Sequence, residues 1–180
     1  QLAAVGEHML RVAGECCEGV RLHDFCSRRY IDRIALPNLR AGFELSGRTA
    51  AAWQAFELAG GGMIATAASA QELQQEVAEL RKRLAFYAST PAYRIQMEIE
   101  GFGDQAEQLT RLAKERRWDD MLSIFTEEMA HCYAAIGTHD VIVERIRQRF
   151  AGLTAVQFSM PLRCASDRGI LRELIQDLKS

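Results

Sequence analysis

Apolar residues recur along this chain with two periods, and each change of period marks a change of element. Leu2, Ala3, Ala4 and Val5 form a continuous apolar run that ends on Gly6, which predicts a buried strand over Leu2–Val5. Met9, Val12, Ala13, Cys16 and Cys17 then fall three and four residues apart, one face of a helix that stops before Gly19. Val20–Leu22 predicts a second short strand. Ser27 opens a second helix with Ile31, Ile34, Ala35 and Leu39 on one side, Pro37 kinking or splitting it and Gly47 closing it.

The next apolar stretch predicts a strand over Met63–Thr66, preceded by a flexible Gly60–Gly62. Ser69 and Glu72 stand three apart as a capping box, and Leu73, Val77, Leu80 and Leu84 give the following helix one apolar stripe. From residue 90 to about 132 the pattern is one of inserted short helices without strands. Thr90 with Pro91 forms an N-cap and first-turn pair there, and Asp104 with Glu107 a second capping box. Thr138 is expected to cap a helix over "DVIVERIRQRF". Val156, Phe158 and Met160 alternate as a strand over Ala155–Ser159, and Ser166 leads into a terminal helix.

Strands alternate with helices and no hairpin signal joins any two strands, so the pattern predicts right-handed βαβ units on a parallel sheet. Four such units make an α/β fold that is half of a (β/α)8 barrel or a small open sheet. The whole of residues 1–180 reads as one domain or one piece of a larger one.

Charge and cysteine usage narrow the function classes. With 22 basic and 24 acidic residues the formal net charge is -2, which gives no concentrated positive field for nucleic acid or an anionic membrane. The longest apolar stretches fall short of a membrane span, and no basic region followed by a long apolar one opens the chain. Five cysteines, two of them adjacent, match no zinc or redox spacing; they read as reduced, half-buried core thiols of a cytoplasmic protein.

In a parallel sheet the working residues lie at the carboxyl ends of strands. That rule selects Val5–His8, His23–Cys26, Thr66–Ala68 and Met160–Arg163. Within "AVGEHM", a glycine at a strand-to-helix turn lets backbone N–H groups face an anion, with His8 in the first turn; the plainer alternative is a tight turn beside a solvated histidine. His23 is open between a site role and a satisfied core histidine. His131 and Cys132 are adjacent on a helix and are not expected to face one site, so no metal site is expected. Asp119, Asp120, Glu127 and Glu128 read as solvated surface. "STPAYR" is able to place the phenol of Tyr93 and the guanidinium of Arg94 over a strand end on the substrate side, or to be an ordinary capped helix.

These residues accumulate into a likeness. "AAVGEHMLRVAGECCEGVRLH" resembles the strand, helix and strand of the luciferase-like flavin monooxygenase superfamily. "RRYIDRIALPNLRAGFELSGRT", "RLAFYASTPAYR", "QLTRLAKERRWDDM" and "AAIGTHDVIVERIRQRF" resemble successive blocks of its deazaflavin-dependent oxidoreductases, in order. The resemblance implies the C-terminal half of a (β/α)8 barrel and a redox enzyme that binds FMN or coenzyme F420. It places the cofactor phosphate near the turn at Ala4, Val5, Gly6 and Glu7, with Leu22 and His23 in the same neighbourhood, and His8 in the first helical turn joins them as a cofactor-binding candidate; Glu7 stands where the family has proline. It further implies a small-molecule substrate, a missing N-terminal half that carries the catalytic residues, an inactive fragment when alone, and a homo-oligomer. Two other readings are a non-catalytic half-barrel interaction module and a phosphate-binding barrel enzyme without flavin.

Overall fold

The fold, a computed structural model, describes residues 1–159, 162 and 165–179. Met160, Pro161, Arg163 and Cys164 lie outside them, so the expected strand-end segment Met160–Arg163 and the third residue of the alternation are not placed. In chain order the first part consists of β1 (Leu2–Ala4), α1 (Glu7–Cys16), β2 (Gly19–Leu22), α2 (Arg28–Tyr30), a π-helical turn (Ile31–Ala35), α3 (Leu36–Leu45), α4 (Ala50–Gln54) and β3 (Glu57–Ala67). Then come α5 (Ala70–Ala88), a 3-10 turn (Pro91–Tyr93), α6 (Arg94–Glu98), α7 (Gly103–Lys114), α8 (Met121–Ile124), α9 (Glu127–Tyr133), β4 (Ala134–Thr138), α10 (Ile142–Arg149), β5 (Ala155–Ser159) and α11 (Ala165–Lys179).

Every strand pairing among the described residues is parallel, as an α/β fold of βαβ units requires. Among the described residues there are five strands rather than four, because Ala134–Thr138 is β4 and not a lead-in to a helix. Its sequence, Ala-Ala-Ile-Gly-Thr, is buried over its first four residues and carries neither alternation nor a run of large β-branched side chains. Thr138 consequently ends a strand and does not cap α10, whose N-cap is Val141.

β3 runs through all three glycines, which are strand and not a flexible lead-in. Each occupies a place where a side chain would collide. A Cβ on Gly61 would lie 2.4 Å from the Cα of Asp24, one on Gly62 would lie 2.7 Å from the carbonyl oxygen of Gln157, and one on Gly60 would lie 2.3 Å from Leu153 Cδ1. Ala59 pairs with both Arg21 and Ala155, and Met63 with both Ala134 and Ser159. β5 therefore follows one edge of β3 while β2 and β4 share the other edge in tandem. Thr154 fastens β5 at its start: its N–H donates to the Leu58 carbonyl at 2.9 Å and its Oγ1 accepts from the Leu58 N–H at 2.8 Å.

Pro37 acts one turn early. Lacking an N–H, it sits in the first turn of α3, and the preceding turn opens into the π segment Ile31–Ala35. At the other end of α3, the Gly47 N–H donates to the Glu44 carbonyl and the Arg48 N–H to the Phe43 carbonyl, a Schellman closure with Gly47 at φ 64. On α1 the buried face is Leu10, Ala13 and Gly14, rotated from the expected stripe, so that Met9 and Cys16 are exposed. The rotation follows from close crossing with α3: a Cβ on Gly14 would meet the Leu39 carbonyl oxygen at 2.1 Å, and one on Gly42 the Arg11 carbonyl oxygen at 2.0 Å. Ser69 and Glu72 form the expected capping box of α5. Asp104 does not head a second one, since α7 starts at Gly103 with Phe102 as its uncapped N-cap. Among the described residues no helix is long and apolar enough to cross a membrane.

Candidate functional site at the ends of the first two strands

The turn between β1 and α1 is built around the backbone of Gly6, at φ 83 and ψ 156, a region that is essentially glycine-only. As N-cap it offers no side chain, and no side-chain cap serves the first amides of α1, so the N–H groups of Glu7, His8 and Met9 converge at the positive end of the helix. A Cβ on Gly6 would meet nothing within 4 Å; the space beside it is open. Ala4 is buried, Val5 half-buried, and Glu7 and His8 exposed.

The Gly6 N–H itself donates to the hydroxyl of Tyr30 at 3.3 Å, so it is not a free anion donor. Tyr30 is held there because Ser27 caps α2, its Oγ accepting the Tyr30 N–H at 3.1 Å, and the ring is buried in the apolar cluster beneath β1 and β2. Burial pushes the Tyr30 phenol up, which keeps it neutral. With its oxygen accepting from Gly6, the O–H is left to donate. Glu7 leans back to Arg11, with 3.5 Å between carboxylate and guanidinium, and Arg11 in turn donates to Asn38 Oδ1 at 2.7 Å. The Glu7 carboxylate is thus partly neutralised along its own helix.

At the end of β2, Leu22 is buried and His23 half-buried. The Phe25 N–H donates to His23 Nδ1 at 3.0 Å, which puts the proton of the neutral ring on Nε2. Desolvation lowers the His23 pKa from 6.5, partly offset by Asp24. Tyr93 stacks on the imidazole at 4.4 Å between centroids and Tyr87 meets it edge-on at 5.0 Å; behind them Phe25 stacks on Tyr133 at 4.2 Å. Of the two substrate-side candidates, Tyr93 joins the site. Arg94 does not: its Nε donates to Glu98 at 2.6 Å on the exposed side of α6.

At the end of β3, Thr66 Oγ1 is buried without a hydrogen-bond partner among the described residues. His139 follows β4 and its N–H donates to the Ala67 carbonyl at 3.0 Å. Contrary to expectation, His131 and Cys132 face one groove, because α9 ends directly at β4 and both residues flank that junction. Among the described residues no three His, Cys, Asp or Glu side chains are placed to hold a metal. Cys26 is a buried thiol pushed up to about 12 by desolvation. The sequence reading missed Tyr30, whose only signal is its place three residues after the capping Ser27.

A parallel sheet with an uncapped helix start and an imidazole at adjacent strand ends defines the class as an α/β fold of βαβ units, with its candidate site at the carboxyl ends of strands. The family model of luciferase-like monooxygenases matches residues 1–156, and the chain belongs to that family. An uncharacterized protein of Mycobacterium tuberculosis and another of Mycobacterium bovis are each 35% identical over 178 residues, covering 99% of this chain and 51% of theirs. The chain therefore spans about half the length of these relatives. Among solved structures, the coenzyme F420 dependent tetrahydromethanopterin reductase of Methanopyrus kandleri superposes with a TM-score of 0.71 at 22% identity, over 96% of this chain and 47% of that one. An F420-dependent secondary alcohol dehydrogenase gives 0.62 at 13% identity, over 99% and 48%. An EDTA monooxygenase from Chelativorans sp. BNC1 gives 0.57 at 15% identity, over 99% and 43%. These likenesses show the fold: half of a luciferase-like (β/α) barrel.

Proposed function

We propose that this chain is the cofactor-holding half of an oxidoreductase that uses F420 or FMN on a small-molecule substrate. The reading is carried by the start of α1, where three amides without a side-chain cap and the Tyr30 hydroxyl converge beside the open face of Gly6. That donor set fits a phosphate: short, directional N–H and O–H donors at a positive helix end, with the nearest carboxylate turned toward Arg11. Family membership and the F420-dependent structural neighbours support the cofactor class.

When bound, a flavin or deazaflavin supplies the hydride chemistry. The residues of this chain bind, orient and shield. The amides of Glu7, His8 and Met9 hold the phosphate, and Tyr30 adds a donor while fixing the Gly6 turn. His23 presents Nε2–H as a hydrogen-bond donor at the end of β2, and Tyr93 covers the other face of the imidazole and keeps water from it. The remaining part of the barrel supplies catalytic groups and the rest of the substrate pocket, so the 180-residue chain alone binds cofactor without turnover, as a soluble cytoplasmic protein that self-associates.

The test is a fluorescence titration of the chain with FMN and with F420. Saturable binding to one of them, weakened about tenfold in Tyr30→Phe by loss of one donor to a charged group, is the expected result. No binding of either, or equal affinity in a folded Tyr30→Phe, overturns the reading.

A further inference from the structure

A second concavity lies against β4. It measures about 520 Å3 and its lining includes Arg28, Arg29, Arg145 and Arg149, the carboxylate of Glu100, and His131 and Cys132. Four guanidiniums in one groove are out of proportion in a chain whose net charge is -2. Two of them are compensated: Arg28 pairs with Asp32 at 2.5 Å and Arg29 with Glu100 at 3.4 Å. Arg145 and Arg149 have no carboxylate partner among the described residues.

Arg149 is the more informative of the pair. Its Nη2 donates to the Cys26 carbonyl, whereas its Nε is buried and has no hydrogen-bond partner among the described residues. Such an orphaned donor on a charged group is costly unless a ligand completes it. Burial lowers the Arg149 pKa from its ordinary value, outweighing the opposing pull of neighbours that include Glu100. The carbonyl contact to Cys26 holds the fork from one side, and Arg149 lines the groove wall with the planar geometry that guanidinium offers to phosphate.

We propose that this groove binds a dianionic phosphate group, either free or carried on a small molecule, with Arg145 and Arg149 as its two charge partners. Two uncompensated positive charges match two negative ones. Arg28 and Arg29 line the same walls but are spent on Asp32 and Glu100, so they shape the site. The two charge partners, Arg145 and Arg149, belong to α10 and have no part in the turn at Gly6, although Arg28 and Arg29 share α2 with Tyr30.

The experiment titrates the 180-residue chain with inorganic phosphate at constant ionic strength, by calorimetry and by thermal shift. A saturable site that responds to the groove variants is expected, distinct from any uptake at the start of α1. Arg145→Gln, on the exposed side of α10 and so without consequence for folding, is expected to weaken it about tenfold; Arg149→Lys, which keeps the charge and loses the fork, is also expected to weaken it. Arg83→Gln, an exposed change on α5, should leave it as in the parent. Absence of saturable binding, unchanged affinity in both groove variants, or binding of citrate in preference to phosphate overturns the proposal. FMN as a second ligand separates the sources. If FMN displaces the inorganic phosphate whose binding Arg145→Gln weakens, the groove takes the cofactor's own phosphate and the placement at α1 falls. If the two bind together, the phosphate belongs to another molecule and both placements stand.

Discussion

The hydroxyl of Tyr30 accepts the N–H of Gly6 at 3.3 Å, a bond that ties the strand-to-helix turn after β1 to the first turn after β2. It joins residues 24 positions apart and fixes a backbone conformation that only glycine tolerates. Tyr30→Phe leaves that part-buried N–H unpaired and is expected to cost about 1 kcal/mol of stability, measured as a lower urea midpoint with unchanged slope.

Gly6→Val should lower cofactor affinity by distorting the turn, since φ 83 is closed to a β-branched residue. The open space beside Gly6 makes conformation the cause, not collision. Glu7→Pro should be neutral or favourable to binding, because it removes a carboxylate and suits the first helical position. Flavin fluorescence titrations of the two variants should move apart; equal shifts would place the phosphate elsewhere.

The three glycines of β3 should differ sharply under substitution by alanine. Gly61→Ala drives a methyl against the Cα of Asp24 and is expected to destabilise by about 2–3 kcal/mol. Gly60→Ala meets only the mobile end of Leu153 and should cost less than about 1 kcal/mol. Equal losses in chemical denaturation would show that strand conformation, rather than close approach, selects glycine here.

His23 makes stability depend on pH with a definite sign. Its folded pKa lies below 6.5 because desolvation disfavours the cation, so the unfolded chain takes up the proton first as the pH falls. The contribution is present in full above about pH 6.5 and is lost as the pH drops from there through the folded pKa. His23→Gln should flatten the fall in melting temperature between pH 7 and pH 5, with the other three histidines as a shared background.

Outside the site, Val156, Phe158 and Leu178 line an apolar groove of about 610 Å3 between α10, β5 and α11. An unfilled groove of that size should bind a hydrophobic dye and promote self-association. Sedimentation as a monodisperse monomer with no dye fluorescence would contradict the proposed self-association.

How far these features were readable depended on the range of the signal. The runs at Leu2–Val5 and Val20–Leu22 and the Ser69–Glu72 box are local, and they reappear as β1, β2 and the capped start of α5. β4 was invisible because Ala134, Ala135 and Gly137 satisfy a strand buried by tertiary packing without any β propensity of their own. Gly60–Gly62 looked flexible because the contacts that demand glycine come from Asp24, Leu153 and Gln157, distant in the chain. At the site, His23 and Gly6 stood out by position at strand ends. Tyr30 and the arginine groove did not, since each is assembled only when separate segments meet.

The shared edge of β3 also sets an order of assembly during synthesis. Glu57–Ala59 can pair with β2 as soon as both have left the ribosome, whereas Met63–Ala67 must wait for Ala134–Thr138 to be translated. In that interval half of one strand is paired and half is a bare, apolar template. A nascent chain halted after α7 should therefore recruit a holdase chaperone through Met63–Thr66, and release it once β4 emerges.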